Sequence, residues 1–126
     1  MRIGRILVCG GRDYPHKEKV FDALGLVCGG LYPEPVIISG GARGVDQFAA
    51  EYAAMCCYEY IEFRANWCEY GKASGPIRNQ RMLDECKPDI VMAFPGGNGT
   101  RDMVNRARLA GIPVNEYKEN EQGELF

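Results

Sequence analysis

Several features are scarce in this chain of 126 residues. It has a single histidine and a single tryptophan, so a Ser-His-Asp or Cys-His arrangement has no recognisable context. No stretch approaches the ~20 apolar residues that cross a bilayer. The amino terminus, Met1-Arg2-Ile3-Gly4-Arg5, leads straight into a short apolar run without the h-region of a secretory signal. A cytoplasmic protein with no membrane partner is expected. An excess of basic charge is missing as well: 15 Lys and Arg stand against 17 Asp and Glu, for a net charge of −2. This argues against broad electrostatic binding to nucleic acid, which needs a clustered basic surface. The six cysteines form no C-x-x-C pair. They stand mostly among apolar neighbours, where a reduced thiol acts as a small hydrophobe. Disulfides are not expected, and neither is a bound metal or a cofactor.

Glycine, by contrast, is abundant, with 16 residues. The chain is 46% hydrophobic and its five Phe and seven Tyr are spread along it, so the glycines belong inside a folded domain. Short apolar runs ending in glycine recur. They are Arg5-Ile6-Leu7-Val8-Cys9, Val36-Ile37-Ile38-Ser39 and Ile90-Val91-Met92-Ala93-Phe94. Residues 58–63 and 113–117 give two further strands. Continuous apolar runs of this length suit strands buried on both faces. Helical periodicity fills the gaps. Val20, Phe21, Leu24, Val27 and Cys28 share one face, with Gly29-Gly30 as a stop. Val45, Phe48, Ala49, Tyr52, Ala53 and Cys56 share a second. Pro76 fits the first turn of a third helix, running to Cys86. Met103, Val104 and Ala107 mark a fourth, closed by Gly111. Five strands alternating with four helices predict a three-layer α/β/α sandwich, Rossmann-like, with a mostly parallel sheet in the order 3-2-1-4-5. Residues 1–117 form one domain in this reading, and residues 118–126 a polar tail.

In an open parallel sheet, ligands bind beyond the carboxyl ends of the strands. Three glycine loops fall there. The first carries Gly10, Gly11, Arg12 and Asp13. The second carries Ser39, Gly40, Gly41, Arg43 and Gly44, followed by Asp46. The third carries Pro95, Gly96, Gly97, Asn98, Gly99 and Thr100, followed by Asp102. Glycine lets the backbone approach a ligand closely. Converging N–H groups and a helix N-terminus then favour an anion. Thr100 adds a hydroxyl, and Arg43 a planar fork for phosphate. Neither the dinucleotide fingerprint G-x-G-x-x-G nor the P-loop is present. The connection between the third strand and third helix is long, and long loops are often functional. Trp67 or Tyr70 in it offers a stacking surface or a surface anchor. Arg78 and Asn79 are expected in the first turn of the next helix, facing the same pocket. Asp13, Asp46 and Asp102 each have the bland role of capping a helix or orienting an arginine.

Four segments together resemble the SLOG superfamily, and within it the YspA, YpsA-related branch. They are residues 8–14, 38–46, 75–82 and 94–100. The resemblance implies a Rossmann-like domain that binds a nucleotide or nucleotide-derived ligand, with the second and third loops holding phosphate, the first forming the pocket floor on the ribose or base side, and Arg78 and Asn79 closing the rim. It also implies a homodimer. Two relatives frame the alternatives. The Lonely Guy phosphoribohydrolases share a Pro-Gly-Gly-x-Gly-Thr-x-x-Glu motif. Here that motif ends Thr100-Arg101-Asp102-Met103, so the glutamate position is Met103 and Asp102 is the candidate catalytic carboxylate. A one-residue step rotates a helical side chain by ~100°. The DNA-processing protein A family carries a motif resembling residues 39–46 and implies single-stranded DNA binding. That would need a basic groove with stacking aromatics.

Overall fold

The computed structural model describes residues 4–30, 35–65 and 67–119. Five strands, β1 (Arg5–Cys9), β2 (Val36–Ser39), β3 (Glu59–Glu62), β4 (Ile90–Ala93) and β5 (Val114–Glu116), form one sheet in the order β3-β2-β1-β4-β5. Every pairing is parallel. All residues of β2 and β4 are buried. The two edge strands expose Glu59, Glu62 and Glu116 instead. Charge on an edge discourages pairing with another chain.

Alternation along the strands splits the core into two layers. Ile6, Val8, Ile37 and Met92 pack against the helices α1 (Lys17–Gly30) and α2 (Val45–Cys56). Leu7, Val36, Ile38 and Val91 pack against the opposite pair, α4 (Ser74–Cys86) and α5 (Asn98–Leu109). The expected three-layer sandwich and its strand order are therefore observed. Each central strand holds the sheet to both helical layers.

The structure departs from the sequence reading in four places. Between β3 and α4 the connection is partly helical, with α3 (Trp67–Tyr70) and a 3-10 turn at Gly71–Ala73. Segments of one turn have too few residues to show a helical period. Helix α4 begins at Ser74, before Pro76, so Arg78 lies beyond its first turn. Helix α1 runs through Gly29 and Gly30, since glycine is tolerated in a last turn at a cost of roughly 1 kcal/mol. Cys28 and Cys86 are buried, but Cys57 and Cys68 are exposed. Cys57 adopts a left-handed conformation (φ 60°) that ends α2. At the end of the expected domain, Tyr117 stacks on Phe94 with ring centroids 4.7 Å apart. Just beyond, Glu119 lies 3.7 Å from His16. The remainder of the tail, 120–126, and the side chain of Trp67 lie outside the described residues.

Candidate ligand-binding site

The chain runs outward from β1 to β3 and then crosses back to β4, so the loops after β1 and β4 part at the switch point of the sheet. A cleft of about 530 Å³ opens there. Its walls include Gly10, Gly11 and Arg12 after β1, and Gly40, Ala42 and Asp46 after β2. Lys72, Arg78 and Asn79 complete it from the α4 side, and Gly97, Asn98, Gly99, Thr100 and Asp102 from α5.

The three loops are joined through backbone. The Gly11 N–H donates to the Pro95 carbonyl (2.9 Å), and the Gly11 carbonyl accepts from the Val45 N–H (3.2 Å). Gly44 sits at φ +77°, where a Cβ would run into the carbonyls of Gly11 and Arg12. A Cβ on Gly96 would meet the Thr100 hydroxyl and the Gly11 nitrogen. These glycines let one loop lie directly on another.

The start of α5 is different. Its N-cap is Gly97, with no side-chain cap. A Cβ on Gly97 or Gly99 would meet nothing within 4 Å. The first turn of a helix has no intrahelical partners for its N–H groups, and these carry the positive end of the helix dipole. Asn79, only 4% exposed, props this turn. Its Nδ2 donates to the Gly99 carbonyl (3.2 Å) and to Asp102 Oδ2 (3.0 Å), while its Oδ1 accepts from Arg78 Nε (2.9 Å). Asp102 Oδ2 also accepts from Arg106 Nε at 2.8 Å. A continuous network from Arg78 to Arg106 thus ties α4 to α5. The i,i+4 spacing of Asp102 and Arg106 was visible in the sequence; their link through Asn79 was not.

Arg78 is half-buried, and its Nη1 donates to the carbonyls of Gly40 (3.1 Å) and Phe63 (3.3 Å). Burial lowers its pKa, with the neighbouring Asp46 opposing that shift and Arg12 adding to it. Asp46 is 7% exposed. Its carboxylate accepts from the Ala42 N–H at 3.2 Å. Burial pushes its pKa up to about 6, against the backbone N–H groups of Ala42 and Gly40 and the charges of Arg78 and Arg12. At the end of β1, burial raises the Cys9 thiol far above its ordinary range.

The other sequence candidates fall around this cleft rather than in it. Ser39 is fully buried and shares a 2.5 Å hydrogen bond with Tyr60. Asp13 pairs with Arg43 at 3.1 Å on the surface. Gly41 faces the side chain of Glu62. Pro95 and Gly96 border another hollow with Phe94 and Tyr117. Lys72 and Asp46, by contrast, are cleft residues that the motif reading did not place in the ligand set. Lys72 carries no pattern of its own, and Asp46 reads as an ordinary first-turn acid. Among the described residues, no three His, Cys, Asp or Glu side chains gather as a metal site. No helix of the described residues is long and apolar enough to cross a membrane.

Comparison with known proteins agrees with this geometry at the level of fold and family. The Gene 61 protein of Mycobacterium phage D29 is 36% identical, over 87% of this chain and 93% of its own length. The molybdenum cofactor binding protein from the phototrophic bacterium Rippkaea orientalis has a similar structure, with a TM-score of 0.70 at 23% identity, covering 92% of this chain and 77% of that one. Moco Carrier Protein from Chlamydomonas reinhardtii gives a TM-score of 0.67 at 18% identity, covering 91% of this chain and 76% of its own. At these identities the two structures establish the shared fold. The family model described as YspA, cpYpsA-related SLOG matches residues 4–70. The chain belongs to the YspA, cpYpsA-related SLOG family.

Proposed function

We propose that this protein binds a nucleotide or nucleotide-derived small molecule through its phosphate. The observation that carries the reading is the uncapped first turn of α5, opening on the switch-point cleft. Backbone N–H groups of Asn98, Gly99 and Thr100 are suited to an anion there. Arg12, Lys72 and Arg78 line the same cleft and supply the balancing charge. Asp46, buried in the wall, suits a ligand hydroxyl or ring N–H that can donate to it. The volume lies within the ~300–1,000 Å³ of ordinary small-molecule sites. Two proteins of this fold are named for a molybdenum-cofactor ligand, which supports small-molecule carriage as a use of the cleft.

Binding is favoured over nucleoside-monophosphate hydrolysis by the state of Asp102. Its Oδ2 already accepts from Asn79 and Arg106, and Met103, at the glutamate position of the phosphoribohydrolase motif, is 1% exposed. We read Asp102 as a positioning residue for α5. Calorimetric titration with AMP and ADP-ribose tests the proposal. Saturable binding is expected, with a loss of about tenfold in Lys72→Ala, as for one charge-assisted contact. No saturable binding by either compound would overturn it. Base release from AMP, followed by chromatography, would restore the hydrolase reading if it disappeared in Asp102→Asn.

A further inference from the structure

The basic side chains of this acidic chain are not evenly spread. Beside the main cleft lies a second hollow of about 320 Å³, lined by Arg12, Arg43, Arg64 and Arg78 around the Gly40–Ala42 turn. The two spaces share Arg12, Gly40, Ala42 and Arg78, so they adjoin. The four arginines come from separate segments: the loops after β1, β2 and β3, and helix α4. Arg12 and Arg78 lie near enough for the first to disfavour the charge on the second.

Carboxylates offset part of this charge. Asp46 faces Arg12 and Arg78 from the cleft wall. Arg43 pairs with Asp13 at 3.1 Å, and Arg64 with Glu62 at 2.5 Å. Both outer pairs are solvent-exposed at their arginines, which are 71% and 75% accessible. Exposed pairs of this kind are weakly held. A phosphate presents oxygens that match the guanidinium fork, so it can replace Asp13 or Glu62 without leaving an arginine buried and unpaired.

Resting on the proposed function, we infer that this hollow is a second anion subsite, which takes an additional phosphate group of the ligand held in the main cleft. The ligand class is a nucleotide with two phosphates. The second one belongs either to a diphosphate chain or to the ribose. Arg43 and Arg64 are the residues specific to this subsite, since neither lines the main cleft.

Titration with AMP, ADP and adenosine 3′,5′-bisphosphate at one fixed salt concentration tests the inference. At least one of the last two should bind about tenfold or more tightly than AMP, the gain of one added charge-assisted contact. Which one does so identifies the source of the second phosphate. The advantage should fall to near unity in the Arg43→Ala/Arg64→Ala double variant. It should grow in Asp13→Asn, which removes a competing carboxylate. Both arginines are exposed, and thermal melting of the double variant checks that the fold is intact. AMP binding without any advantage for a second phosphate would overturn the subsite alone. So would an advantage that survives the double variant. Failure of all three ligands and of ADP-ribose to bind would overturn the proposed function and the subsite together. Oligonucleotide binding tighter than any of the three, and abolished in the double variant, would reassign the hollow to nucleic acid.

Discussion

Two glycine-rich regions at the same edge of the sheet contrast in what surrounds them. At Gly44 and Gly96, backbone from a neighbouring loop occupies the place of a side chain. At Gly97 and Gly99 that place is open. The first region ties the β1, β2 and β4 loops into one unit. The second leaves the start of a helix accessible. Glycine therefore has two tasks here, close backbone packing and an unobstructed helix terminus, and the adjacent Gly96 and Gly97 fall on opposite sides of that division.

The sharpest way to break this contrast is Gly44→Ala. A β-carbon there combines a positive φ with a collision against two backbone carbonyls, neither of which can rotate away. A loss on the order of 3 kcal/mol or more is expected in denaturant unfolding. A midpoint equal to that of the parent would show that the loops are not in register as described.

Next in size is Asp46→Asn, which probes the acid built into the joined loops. In the folded chain its pKa rises from 3.8 to about 6. Between those values the native state keeps a proton that the unfolded chain has released. This contribution to stability is full below pH 3.8 and is lost as pH rises through about 6. The loss amounts to roughly 3 kcal/mol for a shift of this size. Asparagine keeps an acceptor for the Ala42 N–H without the charge. The stability of Asp46→Asn relative to the parent should therefore increase from pH 4 to pH 7, and melting curves across that range would reveal it. A constant difference would mean that Asp46 titrates as an ordinary carboxylate.

A smaller effect is expected on the accessible side. Asp102→Asn weakens the partly exposed pair with Arg106, and should lower stability by about 1 kcal/mol. Thermal melting would measure it, and a cost like that of Gly44→Ala would place the rigid point of the site in α5. The smallest change belongs to Gly99→Ala. With open space ahead of it and a helical position, alanine should be neutral or stabilising by about 0.5 kcal/mol. Clear destabilisation in the same melting assay would abolish the distinction between the two glycine classes.

Much of the architecture was legible before the structure. Ile6 to Val8, Ile37 and Val91 form uninterrupted apolar runs because parallel strands between two helical layers have no polar face to present. Helix α3 escaped notice because four residues carry no period. The site was legible only as a region. Loop motifs put Gly40, Arg43, Gly99 and Thr100 near one edge, with Arg78 facing the same pocket, but they could not say that Arg43 turns aside from the main cleft toward Asp13. Nor could they rank Asp46 above Asp13, since burial is a property of neighbours distant in the chain.

The sequence by itself determined the layers, the strand order and the presence of three glycine loops, because hydrophobic period and chain direction restrict those choices. Tertiary structure decided which glycines are packed and which are open, which arginines share a hollow, and that Asn79 joins Asp102 to Arg78. Those outcomes depend on distances between segments as far apart as Gly11 and Pro95. They are fixed only when the sheet brings its carboxyl ends together.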